Sequence, residues 1–183
     1  HNLQNLNAAR LLLNQVGISD DEFFEHIQSF TGASKRLELI GQNDFSTIYK
    51  DFAHAPSKLK ATSEAVTKQF KDRKLTSVLE LHTFSSLNLD FLELYKNTMS
   101  AADTAYVYFN KDTIRHKRLD DLSKNDVYNA FGSSNVKVFT SSKDLEKELY
   151  SKNIDYNLFL LNCSTKKNFF EFNNKFENCP NFI

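Results

Sequence analysis

The chain has 183 residues, which is the length of one domain with or without an appendage. Apolar residues make up 40% of it and 17 residues are Phe, so the chain can build a real core and is not a disordered protein. Its 23 basic and 23 acidic residues balance, which argues against nucleic acid or an anionic membrane surface as a partner.

Two helices are expected at the start of the chain. Apolar residues recur at helical spacing over 2–16, and Gly17 suits the end of that helix. Ser19 and Glu22 form a capping-box pattern, which predicts a second helix up to about Phe30. The polar residues that follow predict a loop.

A hairpin and a third helix come next. Residues 36–42 and 45–51 have strand character, and the Asn-Asp pair at 43–44 predicts a two-residue turn between them. Pro56 suits the first turn of a helix, and apolar residues follow at helical spacing as far as Phe70.

From residue 75 onward, strands and helices alternate. The predicted strands are 75–81, 104–109, 136–139 and 156–161, and the predicted helices are 87–99, 124–131 and 142–150. Strands that alternate with helices imply crossover connections and a parallel sheet. The sequence therefore predicts an α/β fold, with a Rossmann-like mostly parallel sheet and helices on both faces, preceded by two helices and a β-hairpin. Such sheets bind ligands at the carboxyl ends of their strands.

Several common kinds of site and segment are not indicated by the sequence. The four glycines form neither a Gly-rich phosphate loop nor a dinucleotide fingerprint. No apolar run approaches the roughly 20 residues of a bilayer span, and the first residues do not resemble a signal peptide. Cys163 and Cys179 are expected to be reduced, and His26 and His116 lack partners at metal-ligand spacing. We therefore expect a cytoplasmic protein without a membrane partner or a metal site.

Three short motifs in the first third of the chain carry a resemblance to a known family. Residues 1–5 read His-Asn-Leu-Gln-Asn, residues 35–38 read Lys-Arg-Leu-Glu, and residues 49–56 read Tyr-Lys-Asp-Phe-Ala-His-Ala-Pro. They resemble the His-Asn-x-x-Asn, Arg-Arg-x-Glu and Asp-Asp-Tyr/Phe-Ala-His-His-Pro motifs of the Mur ligases, which use ATP to join an amino acid or peptide to a UDP-N-acetylmuramoyl precursor. The likeness covers residues 1 to about 162. It leans towards the branch that attaches the murein tripeptide, and next towards the branch that adds L-alanine.

The resemblance implies a domain organisation and a reaction. Residues 1–30 are expected to end the central ATPase domain, 31–162 to form the C-terminal domain, and 163–183 to be a tail without an assigned element. In the family, ATP and Mg²⁺ phosphorylate the muramoyl carboxylate, and an amine then attacks the acyl phosphate. The phosphate loop belongs to the central domain, so no catalytic residue is assigned to this chain and the fragment is expected to be inactive alone. The implied partners are UDP-N-acetylmuramate, an amino acid or tripeptide, and the central and N-terminal domains of the same enzyme.

Four residues are implied to bind the nucleotide. Asn2 and Asn5 lie one helical turn apart, and an asparagine amide matches the hydrogen-bonding edge of adenine. The guanidinium of Arg36 suits phosphate oxygens, and the carboxylate of Asp51 at a strand end suits the ribose hydroxyls. The structural alternatives are a helix cap for the asparagines, a solvated charge for Arg36, and a favourable helix-dipole charge for Asp51.

Three residues are implied to bind the incoming substrate. His54 belongs to the third motif, although the second histidine of that motif is Ala55 here. His82 and Ser85 occupy the loop that is expected to recognise the amino acid or peptide, where the related branches carry an arginine. The chain also lacks the Gly-rich segment that closes over the substrate in the family, since Leu161 is followed by no glycine.

Two other functional classes stay open at this stage. The chain could be a non-catalytic binding module that kept the fold, which the glycine-free tail favours. It could instead be an unrelated flavodoxin-like or receiver-like domain. A receiver needs an acidic cluster at its strand ends, which Asp51 alone does not supply.

Overall fold

The computed structural model describes residues 2–30, 36–44, 46–151 and 157–162. The chain divides into two compact units, His1–Ser34 and Lys35–Ile183. The predicted loop over 31–35 and the predicted tail over 163–183 lie outside the described residues.

The first unit is a pair of helices, α1 (Asn2–Gln15) and α2 (Asp20–Ile27). Between them Gly17 has a φ of +91°, which glycine adopts without steric cost. The predicted capping box is present at α2, where the Ser19 side chain accepts from the Glu22 N–H and the Glu22 carboxylate accepts from the Ser19 N–H. Both predicted helices are confirmed, and α2 ends three residues earlier than predicted.

The second unit is built on a six-stranded sheet. Its strands are β1 (Glu38–Gln42), β2 (Thr47–Asp51), β3 (Lys74–Leu81), β4 (Thr104–Phe109), β5 (Val136–Phe139) and β6 (Asn157–Asn162). Their order across the sheet is β1-β2-β6-β3-β4-β5. β1 and β2 pair antiparallel as a hairpin, and the four other pairs are parallel. This arrangement confirms the predicted mostly parallel sheet.

Helices cover both faces of this sheet, as predicted. They are α3 (Pro56–Gln69), α4 (Leu89–Leu92), α5 (Lys111–Lys117), α6 (Lys124–Phe131) and α7 (Ser142–Ser151). The largest core cluster packs α3 to α6 against alternate residues of β3 and β4, for example Leu79. A second cluster packs α7 against the intervening residues, for example Val78. Within the described ranges, no helix is long and apolar enough to cross a membrane.

The predicted helix over 87–99 is not a continuous helix. Two 3-10 turns, Ser85–Leu87 and Glu93–Tyr95, flank the four residues of α4. The Asn88 side chain caps α4 by accepting from the Phe91 N–H at 3.1 Å, and Asn97 has a φ of +59°. Asparagine side chains compete with the helical backbone hydrogen bonds, which explains why an apolar pattern of helical period is broken here.

The hairpin turn and one helix also differ from the prediction. β1 and β2 pair Gln42 with Thr47, so four residues connect them instead of two. The Asn43 side chain accepts from the Ser46 N–H at 2.6 Å and thereby stabilises this longer loop. Helix α5 was not predicted, and it is capped by Asn110, whose side chain accepts from the Asp112 N–H of the first turn.

Candidate functional site

The carboxyl ends of the three central strands form one edge of the sheet in the second unit. β6 lies between β2 and β3, and its last residue, Asn162, is in register with Asp51 on one side and Leu79 on the other. His54 follows β2, and His82 follows β3 directly. The sheet therefore brings three of the predicted site residues to the edge where parallel sheets bind ligands.

Asp51 is a buried carboxylate that is held by neighbouring groups. It is only 8% exposed. Its Oδ1 accepts from the N–H groups of Leu37 at 3.3 Å and Phe52 at 2.8 Å, and its Oδ2 accepts from the Thr62 hydroxyl at 2.9 Å. The predicted ribose residue thus also ties the hairpin to α3.

Arg36 lies next to a backbone segment that Asp51 holds. The following residue, Leu37, has a φ of +48°, which is costly for a side chain of its size. The hydrogen bond from the Leu37 N–H to Asp51 stabilises this conformation. Arg36 is itself exposed, so its guanidinium is accessible to a ligand. The structure therefore connects the two predicted nucleotide residues of this unit through Leu37.

His54 is fixed at both its ring and its backbone. Its Nδ1 lies 3.0 Å from the Phe52 carbonyl oxygen, and its own carbonyl oxygen accepts from the Tyr95 hydroxyl. Burial raises the pKa of Tyr95 to about 12, so that the hydroxyl keeps its proton and acts as a donor. Because a carbonyl oxygen only accepts, the Nδ1 of His54 carries the hydrogen.

His82 has the same local geometry as His54. Its Nδ1 lies 3.1 Å from the Glu80 carbonyl oxygen, two residues earlier in the chain. The ring centroids of His54 and His82 are 6.0 Å apart, and the Phe52 ring lies 4.7 Å from the first and 6.2 Å from the second. In an imidazole whose Nδ1 donates its hydrogen to a carbonyl oxygen, the Nε2 is the ring nitrogen that can accept a hydrogen bond or a proton.

Ser85 belongs to a short turn that hydrogen bonds hold in place. The Ser86 hydroxyl accepts from the Thr83 N–H and the Thr83 hydroxyl accepts from the Ser86 N–H, both at 3.0 Å. Ser85 is exposed, and so is Phe84, whose ring lies 3.8 Å from the Lys117 Nζ in a cation–π contact. The loop after β3 therefore presents the Ser85 hydroxyl and the Phe84 ring, and Lys117 at the end of α5 places its cation over that ring.

Asn2 and Asn5 lie in α1 of the first unit. Asn5 is exposed on that helix, and the side chain of Asn2 is outside the described residues. The expected convergence of these two asparagines with Arg36, Asp51 and His54 stays a prediction.

Asn162 was not predicted as a site residue. It is 2% exposed, and among the described residues neither its Nδ2 nor its Oδ1 has a hydrogen-bond partner. Buried polar side chains are almost always hydrogen-bonded, so an unpaired amide at a ligand-binding edge is notable. The sequence did contain a signal, because a polar residue ends an otherwise apolar run over 158–161.

No group of three or more His, Cys, Asp or Glu side chains is placed to hold a metal ion within the described part of the chain.

Comparison with known proteins places this domain among ligases. No family model matches the chain. It is 32% identical to the UDP-N-acetylmuramate–L-alanine ligase of Caldicellulosiruptor saccharolyticus over 136 residues, which are 74% of this chain and 29% of that enzyme. The solved UDP-N-acetylmuramate–alanine ligase of Thermotoga maritima matches with a TM-score of 0.72 and 15% identity, over 97% of this chain and 38% of that one. The murein peptide ligase of Psychrobacter arcticus matches with a TM-score of 0.65 and 21% identity, over 88% of this chain and 33% of that one.

The fold is the Rossmann-like α/β domain that Mur ligases share. The homologues of this chain are Mur ligases, and the chain belongs to that family. It spans between 27% and 33% of the length of the curated relatives, as a C-terminal domain fragment does. The resemblance found in the sequence is confirmed, whereas the choice between the tripeptide and L-alanine branches stays a prediction.

Proposed function

We propose that this chain is the nucleotide- and amine-binding C-terminal domain of an ATP-dependent peptidoglycan-precursor ligase. The whole enzyme would form an amide between UDP-N-acetylmuramate and an amino acid or tripeptide, through an acyl phosphate. The observation that carries this proposal is the grouping of Asp51, His54 and His82 at one carboxyl edge of the sheet.

The nucleotide half of the proposal is supported by charge and by hydrogen-bonding capacity. Arg36 is an exposed cation, and a guanidinium matches phosphate oxygens. Asp51 is held in place beside it through Leu37, and the buried amide of Asn162 lacks a partner among the described residues. These groups fit an adenosine phosphate. Mg²⁺ would offset the charge of the transferring phosphoryl group, and we assign it to the central domain.

The amine half of the proposal is supported by the two histidines. An amine attacks the acyl carbon, the phosphate leaves, and the attacking nitrogen must lose a proton to a base. The Nε2 atoms of His54 and His82 are both placed to accept hydrogen bonds, since each Nδ1 is held by a backbone carbonyl. The exposed Ser85 and the Lys117–Phe84 pair supply groups for the rest of an amino acid or peptide.

The proposal assigns this chain half of a composite site. Mixed with ATP, Mg²⁺, UDP-N-acetylmuramate and either amine, the 183-residue chain is expected to release no phosphate. The protein that includes the central domain, given L-alanine and the tripeptide in parallel, is expected to form amide with one of them. Turnover by the chain alone contradicts the composite site, and no amide from the longer protein contradicts the ligase function.

A binding module without catalysis is the second candidate. The observation that favours it is that residues 163–183 contain no glycine, whereas a backbone that approaches a carboxylate closely needs one. The same assay separates the candidates, because a binding module binds nucleotide or muramoyl ligand and yields neither amide nor phosphate.

A further inference from the structure

The last residue of β6, Asn162, has a buried side-chain amide without a hydrogen-bond partner among the described residues. Asn162 is 2% exposed, and both polar atoms of its side chain lack a partner among the described residues. A hydroxyl can turn towards a neighbour or a water, but an amide that presents a donor and an acceptor needs two partners. An unpaired buried amide therefore persists most readily where a ligand supplies those partners.

The neighbouring Asp51 has little capacity left for a ligand. A carboxylate has about four acceptor positions. Three of them are taken by the N–H groups of Leu37 and Phe52 and by the hydroxyl of Thr62. A ribose presents two adjacent hydroxyls, so Asp51 alone cannot accept from both of them.

Asn162 lies close enough to Asp51 to supply the further hydrogen bonds that a ribose needs. The two residues are register partners on adjacent parallel strands. Register partners point to the same face of a sheet, and their strands are about 4.8 Å apart. This is the face that α3 covers, since Thr62 of α3 reaches Asp51. The distance between the two hydroxyl oxygens of a ribose is smaller than this strand spacing, so one diol can reach both side chains.

We propose that Asn162 binds the ribose of the nucleotide together with Asp51. The Oδ1 of Asn162 accepts a hydrogen bond from one hydroxyl, and its Nδ2 donates to the oxygen of the other. Asp51 accepts from that second hydroxyl with its remaining position. This inference rests on the proposed function, because it requires that the nucleoside binds at this edge of the sheet.

The test compares ATP with nucleotides that lack one hydroxyl. ATP, 2′-deoxy-ATP and 3′-deoxy-ATP are titrated against the 183-residue chain and its Asn162→Ala variant, with binding followed by NMR chemical shifts up to millimolar nucleotide. We expect the substitution to weaken ATP binding about tenfold, as loss of paired hydrogen bonds does. We expect it to weaken each deoxy analogue only about threefold, because the missing hydroxyl has already removed one of the two contacts of Asn162.

A matched control is available in the same sheet. The Ser77 hydroxyl is also buried without a partner among the described residues, but it lies in the middle of β3, in register with Leu160. Ser77→Ala is expected to leave all three affinities unchanged. A second variant, Asn162→Leu, removes the unpaired amide and keeps the number and branching of its heavy atoms, and it is expected to raise the denaturant midpoint of the chain while it weakens ATP binding.

The outcomes separate the inference from the proposed function. If ATP binds and Asn162→Ala leaves its affinity unchanged, or weakens all three nucleotides equally, the role of Asn162 is wrong and the nucleotide site stands. If Asn162→Leu lowers the denaturant midpoint, the amide has a structural partner and the inference fails in the same way. If the unsubstituted chain binds none of the nucleotides, both the inference and the nucleotide role of this domain are overturned.

Discussion

Asp51 illustrates what a motif reveals about a single residue and what it leaves out. The sequence identified Asp51 as a strand-end carboxylate in a family motif, and the strand end is confirmed. Two of its three hydrogen bonds were not predictable, because Leu37 and Thr62 lie 14 and 11 residues away in the chain. The same carboxylate therefore has a structural role besides its proposed binding role.

Because Asp51 has a structural role, removing one of its hydrogen-bond donors should lower the free energy of unfolding. In Thr62→Val the shape is kept, but the hydroxyl that donates to Asp51 is lost. We expect the free energy of unfolding to fall by about 2 kcal/mol, because a buried carboxylate loses a hydrogen bond. Thr62→Ser, which keeps the hydroxyl, is the control and should cost less than half as much. Urea denaturation of the unsubstituted chain and both variants checks this. If Thr62→Val has the same free energy of unfolding as the unsubstituted chain, the contact does not contribute to stability.

Tyr95 gives a prediction about alkaline pH. Burial raises the pKa of its phenol from about 10 to about 12. The folded chain keeps this proton where the unfolded chain has lost it, so its contribution to stability is complete below pH 10 and is lost as the pH rises towards 12. Urea midpoints measured at pH 9, 10 and 11 should therefore fall.

Tyr95→Phe should make this decline shallower and lower the stability at neutral pH. The phenylalanine keeps the stacking on Phe131, whose ring centroid is 5.2 Å away, but loses the hydrogen bond to the His54 carbonyl. Burial also raises the pKa of Tyr106, so part of the decline remains in the variant. An unchanged slope between pH 9 and 11 would show that Tyr95 does not control it.

At the scale of elements, predictions succeeded where both ends of an element are marked by local chemistry. Helix α6 was predicted with its observed bounds, and in the structure Ser123 and Asp126 form a capping box at its start and Gly132 ends it. The segment after β3 was predicted as one helix from its apolar spacing. Its breaks at Asn88 and Asn97 depend on side-chain capping and on a positive φ, which the apolar period does not report.

The conformation of Gly132 at the end of α6 determines how much stability a substitution there should cost. This residue has a φ of +60°, and an added Cβ would lie 3.4 Å from the Lys96 side chain and 3.8 Å from the Asn129 carbonyl oxygen, which are ordinary contact distances. The space is sufficient, so the cost of Gly132→Ala comes from the left-handed conformation and should be about 1 kcal/mol. Gly132→Asn should cost less, since asparagine tolerates this conformation better than alanine. Thermal unfolding of the two variants measures the difference, and equal or reversed costs would contradict the assignment.

At the scale of the molecule, the alternation of strands and helices was sufficient to predict a mostly parallel sheet with helices on both faces, although α5 was missed and the segment around α4 was predicted as one long helix. The order of the strands was not predictable from that pattern, and it is the order that places β6 between β2 and β3. Because the motifs ended before β6, they singled out Asp51 and His54 as candidates and not Asn162, whose only signal was a polar residue at the end of an apolar run. When a site is formed by strands that are distant in the sequence, its full set of residues can be listed only after the strand order is known.

The division into two compact units allows the predicted adenine contact of Asn2 and Asn5 to be tested by deletion. The three core clusters of the second unit consist of residues from position 37 onward. Deletion of residues 1–34 should therefore leave a chain that unfolds cooperatively, with a urea midpoint close to that of the full chain. The deletion should also abolish any preference for ATP over GTP, because Asn2 and Asn5 are the residues predicted to read adenine.

Asn5→Ala in the full chain is the matched point substitution. It removes an amide that is exposed on α1, so the fold should be unaffected while the preference for ATP decreases. If both variants bind ATP and GTP in the same ratio as the full chain does, the adenine role of the first helix is wrong. If the deletion alone changes the ratio, the first unit contributes through residues other than Asn5. Both results leave the proposed site of Arg36, Asp51 and Asn162 in place, because all three belong to the second unit.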